Sequence, residues 1–88
     1  MRTIYKYPLI QAQKQTLSLP EGYRLLSVQA QGNQPCLWAL VDPARSRMNV
    51  NIAIYGTGDV IYDELISYIS TFQLHGGALV FHAFEVLR

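Results

Sequence analysis

Turn signals recur along the whole chain, at Pro8, "PEG" (20–22), "GNQP" (32–35), "DPARS" (42–46), "GTGD" (56–59) and "HGG" (75–77). Their spacing of roughly ten residues is what antiparallel strands joined by tight turns produce. The segments between them are patterned to match. "QTLSLP" sets Leu17 and Leu19 on one face against Thr16 and Ser18 on the other, and "MNVNIAIYG" sets Val50, Ile52 and Ile54 against Asn49, Asn51 and Ala53. "LLSVQAQ" places Leu26, Val28 and Ala30 inward by the same period of two, and "TIYKYPL" is rich in β-branched and aromatic residues.

"PCLWALVD" breaks this rule. Cys36, Trp38 and Leu40 point one way, Leu37, Ala39 and Val41 the other, and neither set is polar. Such a strand is either central in a sandwich or covered on its outer face by another subunit. In "DVIYDELISYI", Ile61, Leu65 and Ile66 leave a helical turn capped by Asp59 as an open alternative to extended structure. The expected fold is all-β and mainly antiparallel, a small sandwich or partly open barrel of about six to seven strands. A short helical turn near 60–67 is its one optional element.

The 88 residues suffice for one domain, 1–88, because a chain this short buries only about 60–65% of its unfolded surface. Half the residues are apolar and 15% are charged. That composition excludes disorder and leaves apolar surface for a partner, so a homo-oligomer is expected, with "CLWALV" or the hairpin face at its contact. The net charge of +1 and the spread of the cations argue against direct nucleic-acid binding, which concentrates positive charge on one face. Cys36 is the sole cysteine, and no apolar run reaches the ~20 residues of a membrane helix. A cytoplasmic setting is expected, with no membrane association.

"FQLHGGALVFH" reads as a hairpin. Gly76 and Gly77 supply the positive φ angles of a two-residue turn, which pairs Leu74 with Leu79, Gln73 with Val80, Phe72 with Phe81 and Thr71 with His82. Phe72, Leu74, Leu79 and Phe81 then form a core face. Thr71, Gln73, His75 and His82 share the other face with Val80 and Phe84, a mixed surface suited to a partner or ligand. Two histidines without nearby Cys, Asp or Glu make no metal site.

"IYGTGD" resembles a phosphate-cradling loop but lacks the Lys-Ser/Thr of a P-loop and the third glycine of a dinucleotide fingerprint. Gly56, Thr57 and Gly58 still offer backbone amides beside Tyr55, equipment for holding an anionic or ribose-bearing ligand. Trp38 and Tyr55 are the candidates for stacking on a base. No nucleophile with a base is discernible, Cys36 sits in an apolar run, and no cofactor motif is present, so the expectation is a protein that binds rather than catalyses.

The blocks "TIYKYPL", "PCLWALVDP", "IYGTG" and "YISTFQLHGGALVFHAFEV", in this order and spanning nearly the whole chain, resemble a family of small proteins encoded widely by bacteriophages and prophages. Usual members carry "GTGH" followed by proline, and "YIGTFQ". This chain has "GTGD" at 56–59 followed by Val60, and "YISTFQ" at 68–73. The resemblance implies a phage accessory protein acting in the host cytoplasm. In that class the leading occupation is blocking host defence, by sequestering a small nucleotide-like signal or capping a host protein. A structural or assembly role in the virion is the alternative.

Overall fold

The computed structural model describes residues 1–87 as seven strands: β1 (Thr3–Pro8), β2 (Lys14–Pro20), β3 (Arg24–Gln31), β4 (Gln34–Val41), β5 (Arg47–Gly56), β6 (Ile66–Leu74) and β7 (Leu79–Val86). They form two antiparallel sheets, β1-β4-β3 and β2-β5-β7-β6. The expected all-β sandwich is therefore the fold, open rather than closed into a barrel.

Between the sheets lie Leu19, Val28, Leu37, Ala39, Val41, Val50, Ile52, Phe72 and Ala83, all buried. Period-2 alternation puts them there, and burying the Leu, Val, Ile and Phe side chains among them stabilises a domain by about 1.5–3 kcal/mol each. β4 is the central strand of its sheet, so Leu37, Ala39 and Val41 enter the core while Trp38 and Leu40 stay half-buried on the outer face. Its central place in the sheet accounts for the inward set, while Trp38 and Leu40 are left on a face that the fold does not cover.

Parity fails once. β3 carries a bulge between Leu25 and Ser27, so Leu25 packs against the core and Leu26, expected inward, is exposed. A bulge inserts one unpaired residue and exchanges the faces of everything on one side of it.

The edges of β3 and β6 meet where the sheets approach each other, without a backbone ladder between them. Ser70 bridges them. Its Oγ accepts from the Val28 N–H at 2.8 Å and donates to the Val28 carbonyl at 2.6 Å. One hydroxyl satisfies both backbone groups of a residue that is fully buried. A bulge in β6 between Tyr68 and Ser70 accompanies the bridge.

A second tie joins β7 to the start of β3. The Tyr23 hydroxyl bonds Glu85, and burial, that hydrogen bond and the glutamate's charge, in that order, push the Tyr23 pKa up to about 12.

The helical turn near 60–67 does not form: residues 57–65 run without regular structure, and β6 begins at Ile66. Asp59 does not cap a helix ahead of it. Its carboxylate reaches back to the Gly56 N–H at 2.8 Å, and its own N–H donates to the Gly56 carbonyl at 3.1 Å.

Candidate binding cleft

At one end of the sandwich four connections surround an opening between the sheets: residues 9–13, the β3–β4 turn, the turn after Gly56 and the β6–β7 turn. The opening is a cleft of about 400 Å³, within the range of small-molecule sites. Its floor is Phe72, Leu74 and Phe81, the inward face of the hairpin, with the Phe72 and Phe81 rings tilted together at 5.8 Å between centroids. Ile10 and Leu79 stand exposed at its lips. Gln11, Gln13, His75 and Asp59 add polar groups, and Asp59 is the one charged side chain in the lining.

The hairpin is where local sequence governs. Its register is the expected one, Leu74 with Leu79 through Thr71 with His82. Gly76 and Gly77 have φ of +65° and +95°, and the Ala78 N–H closes the turn on the His75 carbonyl at 3.2 Å. His75 departs from expectation. Its own φ is +52°, which takes it out of the strand alternation, so it lines the cleft instead of joining His82 on the outer face. Its N–H is held by Asn33 Oδ1 at 3.0 Å, a contact from the β3–β4 turn that offsets the strain of left-handed backbone.

The opposite lip is pinned as firmly. The Gln15 side-chain amide donates to the Ile10 carbonyl and accepts from the Ile10 N–H, both at 3.0 Å. Gln34 Nε2 donates to the Leu9 carbonyl at 2.7 Å, and the Ile54 N–H donates to the Gln13 carbonyl at 2.7 Å. The cleft is thus preformed, and little ordering would accompany binding.

On the outer face of the four-stranded sheet, His82 links three elements. Its Nε2 lies 2.8 Å from Thr57 Oγ1 and its Nδ1 2.9 Å from Thr71 Oγ1, whose oxygen lies 2.7 Å from the Tyr68 hydroxyl. Thr71 and His82 are the cross-strand neighbours the register required, and Gln73 is exposed beside them. Tyr55 is buried under residues 57–65. Its hydroxyl donates to Asp63 Oδ2 at 2.7 Å, and Lys14 Nζ pairs with the same oxygen at 2.8 Å. Its pKa is raised by the bond to Asp63 first, then by burial, then by the aspartate's charge.

The residues expected to hold a ligand therefore fall into three places. Gly56 and His75 line the cleft; Tyr55, Thr57, Thr71, Gln73 and His82 belong to the outer face of the four-stranded sheet; Trp38 lies on the outer face of the other sheet, opposite Lys6 and Ser27. Trp38 and Tyr55 do not converge on one ligand. Nor is the glycine turn a free anion cradle. The Gly56 amide is taken by Asp59, the Thr57 amide by the Val80 carbonyl at 3.3 Å and the Asp59 amide by the Gly56 carbonyl, which leaves Gly58 alone of the turn without such a bond and sets a carboxylate beside it. Sequence reasoning missed the lips of the cleft. The signal was the glutamine spacing of "IQAQKQ" at 10–15, where Gln11 and Gln13 line the cleft and Gln15 braces it.

Among the described residues no group of three or more His, Cys, Asp and Glu side chains could hold a metal ion, and no helix is long and apolar enough to cross a membrane. A family model described as a domain of unknown function, DUF7352, matches residues 1–88. The chain belongs to the DUF7352 family. No curated protein and no solved structure matches it. What can be said of DUF7352 chemistry from this member thus rests on its own cleft and faces.

Proposed function

We propose that this protein is a non-enzymatic, phage-encoded binding protein acting in the host cytoplasm, and that the cleft at the end of the sandwich takes its ligand. The observation that carries the reading is the cleft's composition: a preformed apolar floor, exposed apolar lips, a few amide and imidazole groups, and one carboxylate with no cation. Such a lining takes an aromatic or aliphatic group bearing hydrogen-bond donors, and it disfavours phosphate. Of the two anti-defence roles, capping a host protein by receiving one of its side chains fits better. A nucleotide-like signal would have to enter base first, its phosphates left in solvent.

Amide chemical shifts in a labelled sample, followed with adenosine, adenosine monophosphate and the amides of N-acetylphenylalanine and N-acetylarginine as probes, test this. Shifts at Gln11, Gln13, His75 and Leu79 with the uncharged or cationic probes, weaker with the monophosphate, are expected. If none of the four moves these residues, and Leu79→Glu leaves capture of host proteins unchanged, the cleft is not the binding site.

A further inference from the structure

The two outer faces of the sandwich carry apolar surface that the fold itself does not cover. On the three-stranded sheet, Ile4, Leu40 and Trp38 form a cross-strand strip, with Ile4 56% exposed. Across the molecule, segment 60–68, which runs past the outer face of the four-stranded sheet and into the start of β6, exposes Val60 (65%), Tyr62 (86%), Leu65 (57%) and Tyr68 (60%). Scattered surface apolar residues need no explanation, but two contiguous groups on opposite faces do.

The charges around them are opposite in sign. Six of the seven Lys and Arg residues precede position 48, and residues 48–87 contain none. Lys14 sits against segment 60–68 but is paired with Asp63 at 2.8 Å, and Asp42, next to the strip's strand β4, is paired with the N-terminal amine at 3.8 Å, so neither reverses the sign of its face. Lys6 and Arg24 flank the strip, as the cross-strand partners of Trp38 and Leu40. Four of the six acidic residues follow position 48. Of these, Asp59 and Glu64 are exposed beside the 60–68 segment, while Asp63 pairs internally with Lys14.

We propose that the protein assembles head to tail, the apolar strip around Trp38 of one copy receiving segment 60–68 of the next. Like-with-like pairing about a two-fold axis would set Lys6 and Arg24 against themselves, or Glu64 against itself; strip against segment sets cation against carboxylate. Because the two surfaces lie on opposite sides of the sandwich, the contact is heterologous. It propagates into a ring or a stack rather than stopping at a dimer. The molecule is flat, 39 × 30 × 17 Å between Cα extremes, and a thin axis of that size matches two sheets packed about 10 Å apart. Its broad faces are wide enough for the about 800 Å² per partner of a standard interface. Of the residues this contact uses, Asp59 alone also lines the cleft.

Sedimentation from about 1 to about 100 µM, a range spanning ordinary interface affinities, should show species larger than dimers. Trp38 emission should shift to the blue as they form. Ile4→Glu and Tyr62→Glu, each at an exposed site and each checked for an intact β-sheet spectrum, should reduce the protein to monomer. Mixed together, the two variants should give a one-to-one dimer that grows no further, since each retains the half the other lacks. Lys6→Glu should weaken assembly by roughly tenfold or more, and Glu64→Lys in the same chain should restore it. That charge exchange supplies the test should either glutamate variant fail to fold. A wild-type monomer at the highest concentration would overturn the proposal and leave the faces to a foreign protein. Assembly surviving one of the two glutamate variants would overturn it in favour of two-fold pairing through the other face, and a mixture that stays monomeric would overturn it outright.

Discussion

The connection out of β6, residues 75–78, is short, and its shape follows from Gly76 and Gly77. The connection into β6, residues 57–65, is long, has no regular structure, and is held by side chains from elsewhere. Its anchors are Thr57 on His82 of β7, and Asp63 on Tyr55 of β5 and Lys14 of β2. The contrast shows two ways for a chain to specify a loop. Backbone torsions at Gly76 and Gly77 specify the first, with one distant contact, from Asn33 to the His75 N–H, at its edge. Tertiary hydrogen bonds specify the second, so it loosens when one is removed.

The largest effect should come from breaking the torsional loop. Gly77→Val forces a β-branched residue to φ +95° and brings its Cβ to 3.1 Å from Gln73 Oε1. Denaturant titration should show a loss of about 1–3 kcal/mol. At Gly76 a Cβ meets nothing within 4 Å and φ is +65°. Gly76→Asn should therefore cost less than Gly77→Val, and equal losses would show that the Gln73 contact adds nothing to the torsional cost.

Next in size is Ser70→Ala, which strands the Val28 N–H and carbonyl at the seam between the sheets. An unsatisfied buried backbone group costs about 1–3 kcal/mol, and amide exchange at Val28 should accelerate with that loss. Unchanged exchange there would mean that water replaces the hydroxyl.

Removing a tertiary anchor should do less to global stability and more to local order. Tyr55→Phe deletes the hydroxyl that donates to Asp63, for about 0.5–1.5 kcal/mol. Hydrogen exchange should rise across 57–65 while the 72–81 hairpin keeps its protection. If both regions lose protection together, the distinction between the loops fails.

Alkali should act in the same direction. Tyr55 and Tyr23 both have raised pKa values when folded, Tyr23 to about 12. The folded state thus holds these protons more tightly than the unfolded chain. Their stabilisation is fully present below about pH 10, the ordinary tyrosine value, and is lost as pH rises through the folded values. Tyr23→Phe should flatten the fall in stability between about pH 10 and 12. A profile identical to wild type would show that burial and Glu85 together do not raise the Tyr23 pKa. The smallest effect belongs to Thr57→Val, which removes one exposed contact to His82 and should change stability by no more than about 0.5 kcal/mol.

Much of the fold was legible because its determinants are local. Turn residues at regular intervals and period-2 alternation determined strands, faces and core, and Gly76-Gly77 determined the register that places Thr71 against His82. The sequence by itself could not announce the Leu26 bulge, since one inserted residue leaves the composition of the strand unchanged while reversing its faces. It could not place His75 in the cleft, because that follows from a left-handed backbone held by Asn33, far away in the chain. Nor could it show that the glycine turn spends its amides on Asp59 and Val80, or that Trp38 and Tyr55 lie on different sheets. Those facts belong to tertiary structure: they depend on which strands are brought together, and a hydrogen bond or a shared cleft exists only once the chain has closed the distance.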